Sequence, residues 1–213
     1  MNVLSERASR RMRSPLASIH PSNLLTYASL SSGLCALVAA LNGSPHGAGV
    51  CIAVAALADT FDGRFARRFH RSREQEAIGL QLDSLVDAVS FGFVPVATTS
   101  ILLSLSVHTV GVMWWIAGAF YTGCALTRLA FYNVVNADTD TNAFIGLPTP
   151  VAALIWSTML LLPPEGHVAA LTAVTAALAM VAPLHIARPG RARLLAFALW
   201  PVALVLAHGV VSR

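Results

Sequence analysis

The sequence predicts an all-α fold, a polytopic transmembrane helical bundle of about six to seven spans with a cytoplasmic N-terminus. Three observations lead to this prediction. Hydrophobic residues make up 56% of the 213-residue chain and charged residues only 11%, well below the roughly 25% usual in a soluble domain. Several apolar runs are long enough to cross a bilayer as a helix, which takes about 20 residues. The basic residues lie mainly at the ends of these runs.

The apolar runs predict seven helices in a single domain over residues 1–213, preceded by a cytoplasmic N-terminal segment at 1–22. Residues 187–213 are the candidate for an extra C-terminal span. The fifth and sixth helices could instead form one re-entrant unit, although the Pro-Pro-Glu-Gly sequence at 163–166 favours a turn between them. The predicted helices are 23–41, 47–68, 79–105, 110–135, 148–162, 168–186 and 193–211.

The arginines predict the orientation of the bundle. All 14 basic residues are arginine, and cytoplasmic loops of membrane proteins are enriched in Lys and Arg. With the N-terminus inside, the outer loops carry no arginine and only Arg213 is left on the outer side. A basic chain can also bind nucleic acid, but arginines at helix ends leave no soluble patch, so no nucleic-acid partner is expected. The predicted cytoplasmic segments are 1–22, 69–78, 136–147 and 187–192.

Four aspartates lie where a membrane helix should carry no charge. An ionisable residue inside a span costs about 2.5–3.5 kcal/mol on insertion scales and suggests function. Asp59 and Asp62 are three residues apart near the end of the second helix, and Asp83 and Asp87 are four apart in the third. Each pair therefore shares one helix face. If the two helices form an antiparallel hairpin, all four carboxylates meet near the cytoplasmic surface.

Four neighbouring carboxylates repel one another unless some are protonated or cations balance them. Hard divalent ions such as Mg²⁺ or Mn²⁺ prefer oxygen ligands of this kind. We therefore predict a site for about two such ions, which would attract a pyrophosphate and act as Lewis acids on it. The alternative is that the aspartates form interfacial salt bridges with Arg64, Arg67 and Arg68.

The aspartates belong to a longer motif. The stretch from Asp59 to Arg67 reads DTFDGRFAR, and the stretch from Gly79 to Asp87 reads GLQLDSLVD. Together they resemble the signature of the CDP-alcohol phosphatidyltransferases, D-x2-D-G-x2-A-R followed by a spacer and G-x3-D-x3-D. The spacer, 68–78, is about three residues longer than is usual in that family. The resemblance implies a membrane enzyme that moves a phosphatidyl group from a CDP-activated lipid to a small alcohol.

The resemblance also implies a role for each matching residue. In the family the first three aspartates, here Asp59, Asp62 and Asp83, bind metal. The fourth, Asp87, is the proposed general base and also a metal ligand. The remaining matches would line the nucleotide and phosphate site together with the first three aspartates: Gly63, Ala66, Arg67 and Gly79.

Further stretches resemble the membrane-type phosphatidylserine synthases of this family. They are DSLVDAVSFGFVP from Asp83, FIGLPTP from Phe144 and PSNLLT from Pro21. The stretch RLAFYN from Arg128 is similar to R-L-A-R-F-N, with Phe131 in place of the second arginine. The resemblance implies CDP-diacylglycerol and serine as substrates. The candidates for acceptor or phosphate contacts are Arg128, Asn133 and Ser90.

Several alternatives stay open at this point. A sister activity would use glycerol 3-phosphate or an inositol compound as acceptor. Functions of another class are a cation transporter, for which charges at the midplane and inverted repeats are missing from the sequence, and a non-catalytic membrane scaffold. By analogy with the family we expect a homodimer in the inner membrane of a bacterium, in contact with lipid and with its active site facing the cytoplasm.

Overall fold

The computed structural model describes residues 19–106, 111–138, 143–187 and 191–212. Most of the predicted N-terminal segment at 1–22 therefore lies outside the described residues. Within them the chain is almost wholly helical, as predicted, and forms seven helical segments, one of which contains a π-helical turn. A two-stranded ribbon, which the sequence analysis did not predict, joins two of the connecting loops.

The elements follow one another in this order: α1 Leu24–Leu41, preceded by a 3₁₀ turn Pro21–Asn23; α2 Pro45–Ala66; α3 Arg73–Asp87; the π-helical turn Ala88–Phe93; α4 Val94–Ser106; α5 Val112–Asp138; β1 Ala143–Ile145; α6 Thr149–Met159; α7 Gly166–Val181; β2 His185–Ala187; and α8 Arg191–Val211. Helices α3 and α4 are continuous through the π-helical turn.

Helix α2 is the central element of the bundle. A tight turn with Gly43 at φ +68° ends α1, and α2 begins where the Ser44 side chain accepts a hydrogen bond from the Gly47 N–H at 3.0 Å. Pro45 occupies the first helical turn, where a missing N–H costs nothing. Helix α2 packs against α1, α6 and α8. Its buried face consists largely of small residues, which allow the neighbouring helices to approach closely: Ala48, Gly49, Ala53, Ala55 and Ala56.

Helix α3 begins six residues before the predicted start at Gly79. A capping box explains the difference, because the Ser72 hydroxyl accepts from the Gln75 N–H and the Gln75 side chain accepts from the Ser72 N–H. Such a box satisfies two backbone donors that a helix start leaves free. The predicted cytoplasmic loop at 69–78 is therefore partly helical, and the long spacer adds a turn to α3.

A π-helical turn follows Asp87 directly. Its origin is Pro95, which has no N–H and so cannot bond to the carbonyl four residues earlier. That carbonyl, on Phe91, accepts instead from the Tyr121 hydroxyl at 2.8 Å. The neighbouring Gly92 carbonyl accepts from Thr122 Oγ1 at 3.1 Å. Helix α5 thus satisfies the backbone groups of the turn and ties it to the bundle.

The ribbon pairs β1 with β2 in antiparallel register, with Phe144 opposite Ile186. The prediction of a sixth helix extending to Ile186 is therefore wrong: α7 ends at Val181, before Pro183, because the residue preceding a proline disfavours helical geometry. Gly146 follows β1 at φ +74°, and its N–H donates to the Leu184 carbonyl at 2.8 Å.

Replacing Gly146 should destabilise the protein strongly. A Cβ at this position would lie 2.1 Å from the Met180 carbonyl oxygen, and a left-handed φ alone costs about 1–3 kcal/mol in a non-glycine residue. We expect G146A to lower the melting temperature in detergent by several degrees. G166A is the matched control, since a Cβ there would meet nothing within 4 Å. Equal melting temperatures of the two variants would contradict the prediction.

The surface of the bundle fits a lipid environment. By length and composition, two of the described helical segments are suited to crossing a bilayer, Pro21–Leu41 and Arg73–Ser106, and three further apolar helices are shorter. Many large apolar side chains also point outward, which a monomer in water seldom tolerates. Among those at least one third exposed are Leu24, Leu34, Val38, Leu41, Val112, Met113, Ile116, Leu171, Leu178, Leu199, Leu206 and Val210.

Candidate active site

The four predicted aspartates lie together between α2 and α3. Carboxylate oxygens of Asp59, Asp83 and Asp87 all lie within 4.8 Å of one another. The carboxyl group of Asp62 approaches that of Asp83, and Asp59 approaches Asp87 in the same way. The two aspartate pairs, each on one helix face, therefore meet as the sequence spacing predicts.

A residue of α1 fixes the orientation of Asp62. The Thr26 hydroxyl donates to Asp62 Oδ2 at 2.5 Å, and both side chains are buried. A hydrogen bond to an ionised carboxylate is short and strong. Thr26 therefore holds one oxygen of Asp62, while the carboxyl group of Asp83 approaches the same side chain within the cluster.

Asp87 is held from the opposite side of the bundle. The Thr149 hydroxyl, at the start of α6, lies 3.5 Å from Asp87 Oδ2. The other oxygen, Oδ1, is buried and has no hydrogen-bond partner among the described residues. A buried carboxylate oxygen without a partner is costly in a folded protein. The pocket therefore offers Oδ1 to a proton, a cation or a substrate group.

Arg128 of α5 is buried beside the cluster and lies close enough to Asp87 to attract its carboxylate. Its guanidinium stacks on the Tyr132 ring, with Cζ 4.6 Å from the ring centroid, and its Nε has no hydrogen-bond partner among the described residues. The Tyr132 hydroxyl in turn accepts a hydrogen bond from the Ile145 N–H. Arg128 is thus positioned at the cluster with a hydrogen-bond donor unused.

The arrangement argues against structural salt bridges as the reason for the aspartates. Within the described part of the chain, the ion pair that forms is Arg71 with Glu76 at 3.9 Å. Arg64, Arg67 and Arg68 lie near the end of α2 and make no such pair with the four aspartates.

The other predicted site residues differ in their surroundings. Gly63 is exposed, and a Cβ there would meet nothing within 4 Å, so open space lies next to the α2 backbone. Ala66 is buried and Arg67 is exposed at the end of the helix. Gly79 packs near Asn23, whose Oδ1 would lie 3.3 Å from a Cβ at that position.

The two remaining candidates for acceptor contacts make different contacts. Asn133 Oδ1 accepts from the Ser84 hydroxyl at 2.8 Å and so joins α5 to α3. Ser90 is buried against the backbone of Gly33, and its hydroxyl has no partner among the described residues.

The family of the protein follows from a comparison with known sequences. The profile of the CDP-alcohol phosphatidyltransferases matches residues 19–185, which include all four aspartates. The chain belongs to this family. The match also includes α1 and α6, the helices that supply Thr26 and Thr149 to the candidate site.

Several curated relatives in the family are named CDP-diacylglycerol–serine O-phosphatidyltransferase. The protein of Mycobacterium tuberculosis is 35% identical over 135 residues, 61% of this chain and 45% of the relative. That of Mycobacterium leprae is 35% identical over 150 residues, 68% of this chain and 47% of the relative. The archaetidylserine synthase of Methanothermobacter thermautotrophicus is 31% identical over 139 residues, 65% of this chain and 57% of the relative. The chain thus spans about half the length of these curated relatives.

The donor set of the aspartate cluster fits a hard divalent cation. It consists of carboxylate oxygens from two helices, three of them already within 4.8 Å, and such oxygens are the ligands that Mg²⁺ and Mn²⁺ prefer. The unpartnered Asp87 Oδ1 is a further indication, because it is buried and faces no hydrogen-bond donor in the described chain. The cluster can therefore bind a metal ion.

Three hydroxyl residues that orient the candidate site were not among the predicted site residues. Thr26, Ser84 and Thr149 hold Asp62, Asn133 and Asp87, respectively. All three lie in stretches that resemble the family: PSNLLT, DSLVDAVSFGFVP and FIGLPTP. This is the signal that the sequence offers for them, since the contacts themselves join segments far apart in the chain.

Proposed function

We propose that this protein transfers the phosphatidyl group of CDP-diacylglycerol to the hydroxyl of L-serine, forming phosphatidylserine and releasing CMP. The observation that carries the proposal is the convergence of the four signature aspartates, with Asp87 Oδ1 buried and unpartnered among the described residues. Family membership supports the reaction class, and the names of the bacterial relatives support serine as the acceptor.

Asp87 is the residue suited to activate the acceptor. A serine hydroxyl is a weak nucleophile until a base within hydrogen-bond reach removes its proton. Thr149 engages Oδ2 of Asp87, which leaves Oδ1 to accept that proton. The serine oxygen then bonds to the lipid-side phosphorus. The bond from this phosphorus to the oxygen of CMP breaks, and CMP leaves with the electron pair.

The remaining residues bind and orient the substrates. Asp59, Asp62, Asp83 and Asp87 would hold Mg²⁺ or Mn²⁺, two ions by family analogy, which would supply charge neutralisation and Lewis acidity toward the pyrophosphate. The open space beside Gly63 gives room for the nucleotide. Arg128, with its unused donor beside Asp87, is suited to the serine carboxylate or a phosphate oxygen.

We further propose that the protein spans the inner membrane of a bacterium six to seven times, with the N-terminus and the active site in the cytoplasm. The arginine distribution supports this orientation. The site lies near the arginine-rich end of α2, where a polar head group can be reached from the water while its acyl chains stay in lipid.

The location of the C-terminus tests the number of spans. Seven crossings from a cytoplasmic N-terminus place it outside, and six place it inside. We expect a C-terminal alkaline phosphatase fusion to be active and a C-terminal green fluorescent protein fusion to be dark. The same fusions made at residue 187, before α8, should give the reverse pattern. A fluorescent full-length fusion would contradict seven spans.

By family analogy we also propose a homodimer, which the exposed apolar surface of the helices would accommodate. Cross-linking in native membranes followed by mass determination in detergent tests this. A single species of monomer mass in both measurements would refute it.

An acceptor assay tests the activity. Membranes containing the protein are given CDP-diacylglycerol and Mg²⁺ or Mn²⁺, with serine, glycerol 3-phosphate or inositol compounds offered separately, and CMP release is measured. Release that depends on serine is the expected result. Release with another acceptor alone would keep the family reaction but refute serine as substrate. No release with any acceptor, from folded protein with metal, would favour a non-catalytic membrane scaffold.

A further inference from the structure

The spacer between the two halves of the signature supplies an arginine that is largely, though not fully, buried. Only 17% of the Arg71 side chain is exposed, and its Nε is buried without a hydrogen-bond partner among the described residues. Its ion pair with Glu76 is long, at 3.9 Å, and the Glu76 side chain is 58% exposed. Because a loose pair with an exposed carboxylate contributes little, stability does not explain why this guanidinium is buried.

The chain on both sides of Arg71 is fixed. On the N-terminal side, the Phe69 ring packs edge-on against Phe65 and His20, with centroids 5.2 and 5.9 Å apart. On the C-terminal side, the capping box of Ser72 starts α3 immediately. The position of Arg71 is therefore defined by local structure.

Arg71 reaches the acidic face of α3. Its Nη1 lies 3.6 Å from the position that a Cβ on Gly79 would occupy. Gly79 precedes Asp83 by four residues, so the two positions lie on one face of the helix. The guanidinium is therefore about one helical turn from the aspartate cluster, and the missing side chain of Gly79 gives it room.

We propose that Arg71 binds a phosphate oxygen of the nucleotide half of the donor, a contact that lies outside the family signature. This inference rests on the proposed function. A guanidinium forms paired hydrogen bonds with phosphate, which suits a buried arginine with unused donors.

The distance between Gly79 and Asp87 along α3 favours a contact of Arg71 with the nucleotide rather than with the acceptor. Gly79 and Asp87 are eight residues apart, which is about 12 Å along a helix. Serine with its hydroxyl at Asp87 is too short to reach the level of Gly79. A nucleotide phosphate beside Asp83, only one helical turn from Gly79, lies within reach of the Arg71 guanidinium. Arg128, which lies beside Asp87, is left for the acceptor side.

Direct CMP binding tests the proposal without requiring turnover. Titration calorimetry with Mg²⁺ on the full chain in detergent should show that R71A weakens CMP binding about tenfold or more, the loss typical of a hydrogen bond to a charged group. The KM for CDP-diacylglycerol should rise by a similar factor while the KM for serine stays constant. R71K, which keeps the charge but loses the planar fork, should show a smaller loss. R73A, an exposed arginine two residues away, is the matched control and should bind CMP like the wild type.

Each outcome decides between the two proposals. Unchanged CMP affinity in folded R71A would overturn the role of Arg71, and so would a rise in the serine KM alone. Wild-type protein that binds CMP in an Arg71-dependent way but does not use serine would refute the proposed acceptor and keep the role of Arg71. Wild-type protein that binds no CMP would overturn both. If R71A does not fold, R71K decides, and equal CMP affinity of R71K, R73A and wild type would refute the proposal.

Discussion

Asp87→Asn should reduce serine-dependent CMP release by about 10²–10⁴-fold, the range that general-base catalysis contributes. Asparagine keeps the shape of the side chain, and its amide oxygen can still accept from the Thr149 hydroxyl, but the amide takes up no proton at neutral pH. The loss should therefore appear in kcat, with the KM for serine changed far less. Initial rates at several serine concentrations measure both constants.

The control for this variant is Glu74→Gln. Glu74 is an exposed carboxylate in the first turn of the same helix, and its loss should leave the rate within about twofold, since surface substitutions are usually nearly neutral. Direct CMP binding should persist in D87N if the pocket is intact. Full activity in D87N would remove Asp87 from the role of base.

Chelation should abolish the activity as completely as loss of the base. The cluster holds several carboxylates within 4.8 Å of one another, which repel unless cations balance them. We expect activity to disappear in excess EDTA and to return with Mg²⁺ or Mn²⁺. Asp83→Asn removes one oxygen ligand and should raise the metal concentration needed for half-maximal rate by tenfold or more.

The same control separates ligation from general charge effects. Glu74→Gln also removes one negative charge from α3 and should leave the metal requirement unchanged. Activity that persists in the chelator would exclude a metal-dependent reaction. An equal shift in D83N and E74Q would mean that net charge, rather than ligation, sets the metal requirement.

Much of the site is predictable because its residues lie on two neighbouring helices. Spacings of three and four residues place Asp59 and Asp62 on one helix face, and Asp83 and Asp87 on another, independently of the rest of the fold. A hairpin then brings the pairs together, and the structure has this arrangement. The seven helical segments follow in the same way from the lengths of the apolar runs.

What the sequence does not reveal depends on contacts between distant segments. Thr149 reaches Asp87 from 62 residues away, and Thr26 reaches Asp62 from 36. No local pattern encodes such partners. The pairing of β1 with β2 is missed for the same reason, since three-residue strands are too short to show a period. Pro95, in contrast, is a local signal of the π-helical turn, because it removes one backbone hydrogen-bond donor.

The π-helical turn after Asp87 has a consequence for how mutations combine. A π turn takes in an additional residue, which rotates everything after it by about 100° relative to a regular helix. Before the turn, the continuous helix of α3 and α4 carries Asp83 and Asp87. After the turn, Thr99 and Ser100 accept hydrogen bonds from the indoles of Trp156 and Trp114 at 2.7 and 2.8 Å, respectively. Thr99 lies about 18 Å along this helix from Asp87. The half with the aspartates and the half bonded to the indoles are thus well separated along one helix, so the free-energy effects of substitutions in the two halves should add.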